Sequence, residues 1–152
     1  MPLLVWKSSR LASIRVTFEL LDHPADIGFR AWGETLEELF ANCAHALISI
    51  ILDPENAAPA QGWVLEAKGA DLESLLVNWL NEVLYYVDTK RVVLSSLSVT
   101  FPDPLRVRCN AEGEPRDSVK HPVRVFVKAA TYHQLKISRL ASTWVAEVFV
   151  DV

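Results

Sequence analysis

In the stretch LDHPADIGFRAWG, Leu21 to Gly33, Asp22, His23 and Asp26 fall where the chain reverses between two apolar runs. Groups of this kind either shape the turn, a carboxylate taking nearby backbone N–H groups, or hold a ligand. At the other end of the sequence Asp151 stands inside a strand pattern, in which Trp144, Ala146, Val148, Val150 and Val152 alternate with Val145, Glu147, Phe149 and Asp151. A strand that runs to Val152 carries the α-carboxylate into the fold beside Asp151. Carboxylates held together repel unless one is protonated or a cation neutralises them. If the Asp26 turn lies against that edge, three hard oxygen donors converge, a set that suits Ca²⁺ or Mg²⁺.

Other chemistry is sparsely marked. The sequence has no phosphate-binding P-loop, no GxGxxG after a strand, no GxSxG elbow and no HExxH, and its 5 glycines leave little for a glycine-rich cradle. His45 lies beside the apolar stripe of a helical pattern, and His121 precedes Pro122, where it closes a turn. His23 and His133 each sit in a short polar cluster, where structural hydrogen bonding is the first expectation and support of a site the second. Cys43 and Cys109 form no CxxC and read as buried free thiols of a reducing compartment. With 15 Lys+Arg against 19 Asp+Glu, the net charge of −4 offers no bulk positive field to grip nucleic acid.

The elements that must position these groups follow from periodicity. RVTFELL and IGFRAWG alternate as strands on either side of the turn. Thr35 with Glu38 forms a capping box that opens a helix with Leu36, Leu39, Phe40, Cys43, Leu47 and Ile50 on one stripe. GWVLEAKG reads as a strand, and Asp71 caps a second helix facing inward through Leu72, Leu75, Leu76, Trp79, Leu80, Val83 and Leu84. After Asp88 the chain is strand-like in VVLSSLSVTF, PLRVRCNAEGE, VRVFVKAATY, HQLKISRL and TWVAEVFVDV. The expected fold is α+β, a largely antiparallel sheet of seven to eight strands with two amphipathic helices packed on it. Residues 1–14 read as a loose N-terminal extension and 15–152 as a single domain. The apolar run Leu3 to Trp6 is too short for a signal segment and no stretch is long enough to span a membrane, so a cytoplasmic protein is expected.

Five segments, HPADIGFRAWGETLEELF, GADLESLLVNWLNEVLYYVDT, AEGEPRDSVKHP, VKAATYHQL and WVAEVFVDV, together resemble the archease family in order and spacing. The likeness covers roughly Val16 to Val152, and it departs at Pro24, where the family usually has threonine. That resemblance implies a non-catalytic accessory protein of the RtcB-type RNA ligase of tRNA splicing and RNA repair, promoting the ligase's GTP-dependent guanylylation and its turnover. It also implies a divalent metal, calcium first with Mg²⁺ or Mn²⁺ as alternatives, on Asp26, Asp151 and the carboxylate end of Val152, and a functional role for Lys128. On this reading Asp22, His23 and Pro24 shape the turn around Asp26. The competing readings are a metal-binding, chaperone-like interaction module and a free-standing metal-dependent hydrolase.

Overall fold

The computed structural model describes residues 3–7, 16–22 and 26–152, with side chains over 17–21 and 26–152. His23, Pro24 and Ala25, and with them the expected shaping of the turn, lie outside the described residues, as does the side chain of Asp22. The strands are β1 (Leu3–Lys7), β2 (Val16–Asp22), β3 (Ile27–Gly33), β4 (Gln61–Lys68), β5 (Val92–Asp103), β6 (Arg106–Pro115), β7 (Ala129–Ala130), β8 (Lys136–Leu140) and β9 (Thr143–Asp151). The helices are α1 (Leu36–Ile51) and α2 (Leu72–Asp88). All pairings are antiparallel, so the α+β class with two packed helices holds.

Two features differ from the expectation. The strands divide over two sheets: one has the order β1-β2-β3-β9-β7, with β8 also on β9, and the other has the order β4-β6-β5. Alternation reports which side of a strand is buried, and it carries no information about which sheet the strand joins. Leu3–Lys7, placed by its sequence in a loose extension, pairs instead with β2, from Leu3↔Leu21 to Lys7↔Val16.

The helices form the layer between the sheets. α1 packs on β2, β3 and β9 on one side, and on β5 and α2 on others. Nine of its residues are buried, so its apolar surface reaches well beyond the single stripe of a surface helix. Thr35 caps it as expected, its Oγ1 accepting from the Glu38 N–H at 3.1 Å, while the Glu38 carboxylate accepts the N–H of Glu34, one residue before the cap. Asp71 caps α2 in a reciprocal box with Ser74. Trp79 of α2 is fully buried and donates its indole N–H to the Phe40 carbonyl of α1 at 2.9 Å, so the largest core side chain leaves no orphaned donor. Leu76, Leu80 and Val83 are buried in the same core. Both cysteines are free and buried, and burial pushes their thiols up, Cys109 to about 11.

The run VRVFVKAATY forms a strand only at Ala129–Ala130. Ahead of it the Arg124 N–H bonds to the Ile51 carbonyl at 2.7 Å, so the segment crosses the C-terminal end of α1 instead of extending the ladder on β9. Its side chains still alternate between partly buried or buried Val123, Val125 and Val127 and exposed Arg124 and Phe126. The sidedness was legible; the pairing was not.

Leu80→Ala should cost about 2–5 kcal/mol in urea unfolding, since it opens a void at the centre of the α2 contact. Ala141 sits at φ 55 in the β8–β9 hairpin, a left-handed conformation that favours glycine. Ala141→Gly should therefore raise the unfolding free energy by about 0.5–1 kcal/mol in the same assay.

Candidate functional site

β3 and β9 pair along their length, from Ile27↔Val150 to Gly33↔Trp144. Ile27, Phe29 and Ala31 face the core with Val150, Val148 and Ala146. The ladder ends at Ile27↔Val150, so Asp26, just before β3, and Asp151, the last residue of β9, are the next residues at the same end of the pairing. Asp26 is partly buried, and Asp151 and Val152 are exposed.

Lys128 reaches the same end from the other side of β9. Its backbone N–H donates to the Asp151 carbonyl at 2.7 Å, and Ala129↔Asp151 and Ala130↔Val150 follow in β7. The Lys128 side chain is exposed. β7 is short, and what holds it in place comes from α2: Asn81 Oδ1 accepts the Ala130 N–H at 2.9 Å. The sequence does not mark this tether, because a lone asparagine gives no sign of which distant N–H it will meet.

His133 stands near the site without joining the carboxylates. Its backbone N–H donates to Thr131 Oγ1 at 3.3 Å, and its ring meets Phe149 edge-on at 6.5 Å between centroids. Phe149 occupies the register position next to Asp151 on that face, opposite Gly28. Gly28 is the second residue that sequence reasoning passed over. A Cβ there would lie 2.3 Å from the Val148 carbonyl oxygen and 2.8 Å from Phe149, so glycine alone lets β3 and β9 approach this closely beside the acids. One position further along the same face, Arg30 bridges three strands. Its Nε and Nη2 donate to Glu147 Oε2 at 3.0 and 2.8 Å, and its Nη1 to Glu19 at 3.4 Å. The hydrogen bond to Glu147 is the main cause that holds the guanidinium above its ordinary pKa.

The remaining histidines lie elsewhere. His121 is 1% exposed and closes the turn 117–121, its Nδ1 accepting the Asp117 N–H at 3.1 Å and its Nε2 facing Glu114 at 2.9 Å. Lys120, 2.7 Å from the same carboxylate, is the main cause that holds Glu114 below the usual carboxyl range. His45 lines a cavity with which Asp26, Lys128 and Asp151 have no part. His23 lies outside the described residues. Among the described residues no group of three His, Cys, Asp or Glu side chains is gathered closely enough to hold a metal ion.

Fold and site together define a class: a small α+β domain whose charged groups gather at the end of a sheet. The Archease protein family (MTH1598/TM1083) matches residues 18–152. The archease of Methanosarcina barkeri is 38% identical over 142 residues, covering 89% of this chain and 95% of that protein. Protein 1598 of Methanobacterium thermoautotrophicum, solved in solution, superposes with a TM-score of 0.74 at 32% identity, over 90% of this chain and 99% of that one. An archease of Thermotoga maritima, described as a possible chaperone, shares the fold with a TM-score of 0.57 at 16% identity, over 87% of this chain and 94% of its own. The chain belongs to the archease family. Among its described residues no helix is long and apolar enough to cross a membrane.

Gly28→Ala should lower stability by about 1–3 kcal/mol in urea unfolding, because the strands must part to admit the methyl group. NMR chemical shifts should change most around Asp26 and Phe149. Unchanged stability would mean that the strand approach is looser than this geometry.

Proposed function

We propose that this chain is an accessory protein of an RtcB-type RNA ligase, raising the ligase's GTP-dependent guanylylation and turnover while transferring nothing itself. The observation that supports the reading is the end of the β3–β9 ladder at Ile27↔Val150, with Asp26 and Asp151 the next residue on each strand and the Lys128 N–H bonded to the Asp151 carbonyl. Two carboxylates brought together at one strand end are a poor resting arrangement and a good cation site. In this proposal Asp26 and Asp151 hold a divalent cation, calcium first and Mg²⁺ or Mn²⁺ otherwise, with the carboxylate of Val152 as third donor. Hard oxygen donors of this kind suit these ions. A bound cation would offset the negative charge of the acids and present a positive pole toward phosphate oxygens.

The chain's own residues supply the rest. The backbone bond to Asp151 fixes where Lys128 leaves the sheet, and the Asn81 tether holds the strand that follows it. An exposed lysine at that place is a movable positive charge for an anionic group on a partner. Phe126, 76% exposed, and Tyr132, 58% exposed, flank the same short segment. Exposed aromatic side chains beside a charged group suit protein docking. The overall negative charge suits a protein partner better than direct contact with RNA.

The same exposed aromatics favour the second reading, a chaperone-like interaction module, and the description of the Thermotoga maritima protein agrees with it. One assay separates the two. Substoichiometric protein added to a purified RtcB-type ligase with GTP and no RNA should increase the rate and extent of ligase guanylylation. Asp26→Ala and Lys128→Ala should fold as the parent does and lose most of that effect, by about tenfold or more for each charge aimed at the phosphates or their metal. Activation retained in Lys128→Ala but lost in Asp26→Ala would assign the effect to the metal alone. No activation by the parent protein would leave the chaperone-like reading in its place.

A further inference from the structure

On α1, whose other faces are mostly buried, Asn42, His45 and Ser49 form a polar stripe at spacings of three and four residues. All three line a cavity of about 880 Å³ between α1, the inward side of β2, the connection after α1 and the start of β5. Its size is that of a small-molecule site. Burial lowers the pKa of His45, so its imidazole is neutral and offers one donor and one acceptor nitrogen. Neither the His45 nor the Ser49 side chain has a hydrogen-bond partner among the described residues, and no described side-chain nitrogen or oxygen is sealed in without one. The ring nitrogens of His45 are therefore reached through the cavity. Polar groups in a half-enclosed apolar setting are costly to leave unpaired, and they mark where a ligand's own polar groups would sit.

The charges around the cavity say what kind of ligand fits. Among the described residues that line it, Asp53, Glu55 and Glu112 stand at its rim against one cation, Arg124, which lies 3.9 Å from Asp53. Asn42 spends its amide N–H on the Trp32 carbonyl at 2.6 Å and leaves its oxygen free to accept. Phe18, Leu20 and Pro54 supply apolar wall. Acceptors thus outnumber donors, and phosphate or carboxylate ligands meet like charge. We propose that this cavity binds an organic cation, a primary ammonium or guanidinium on a short apolar stem, with His45 and Ser49 at its floor and Glu55 and Glu112 at its mouth. The stem lies along Phe18 and Leu20 while the charged head meets the acceptors. None of these groups belongs to the carboxylate end, so the inference stands apart from the proposed function.

The cation has two chemical sources, a free amine or the side chain of an arginine or lysine on a partner. NMR titration of the full chain with butylammonium and butylguanidinium should give saturable shifts at His45, Ser49 and Ser96. The uncharged 1-pentanol should bind at least about tenfold more weakly, a difference of about 1.4 kcal/mol, and valerate more weakly still. Glu55 and Glu112 are exposed, so the double variant Glu55→Gln/Glu112→Gln tests the rim without risk to the core, and it should weaken the cations by about fivefold or more. His45→Leu should remove the remainder. A Gly-Arg-Gly peptide binding more tightly than butylguanidinium assigns the cation to a partner's side chain, and weaker binding assigns it to a free amine. Pentanol or valerate binding as tightly as the cations, or cation binding unchanged in the rim double variant, overturns the proposal.

Discussion

The antiparallel ladder between β3 and β9 sets the position of nearly everything else in the larger sheet. It sends Phe29, Ala31, Ala146 and Val148 into the core and Arg30 and Glu147 to the other face. A slip of one residue would exchange the faces and bury the charges. Two devices hold the register. Arg30 hydrogen-bonds to Glu147 on one neighbour and Glu19 on the other, a geometry available at one alignment of the three strands. Those side chains are partly exposed, so the ion pairs contribute specificity more than stability. Gly28 then admits the Val148 carbonyl and Phe149 at a distance no other residue allows. Asp26 and Asp151 are the residues that follow the last pair of that ladder, one on each strand.

The helical layer serves the same end indirectly. α1 fills the space under β2, β3 and β9 and touches the second sheet through β5. α2 is locked to it by the buried Trp79–Phe40 hydrogen bond and extends Asn81 to the Ala130 N–H. A strand of two residues has few bonds of its own, and the side-chain acceptor from a buried helix replaces what a longer ladder would provide. The position of Lys128 thus depends on packing far from it.

Much of this was legible in the sequence, and the limits have physical causes. Alternation marked β2, β3 and β9, apolar spacing marked both helices, and Thr35 and Asp71 marked their starts, because each signal is local. Sheet membership, the pairing of β1, and the passage of 123–128 over the end of α1 are matters of long-range contact, on which local pattern is silent. Asp26 and Asp151 stood out as acids at strand ends, and that these two ends lie together depends on a register that only the folded chain displays. Lys128 carries no local mark of function in the sequence, and only the family likeness singles it out. Gly28 and Asn81 carried no local mark. The polar stripe of Asn42, His45 and Ser49 was readable as an interruption of apolar spacing, but the cavity that gives it meaning is made by residues from other parts of the chain.

The central proposal is that Asp26 and Asp151, at one end of the β3–β9 ladder, form one site. Calcium titration by calorimetry on the parent chain, Asp26→Asn, Asp151→Asn and the double variant tests it most directly. If the acids share one ion, each single change removes most of the binding and the double change removes little more, the strong non-additivity of groups acting on a common partner. Calcium affinity that is unchanged in either single variant, or losses that add independently in the double, would contradict the account.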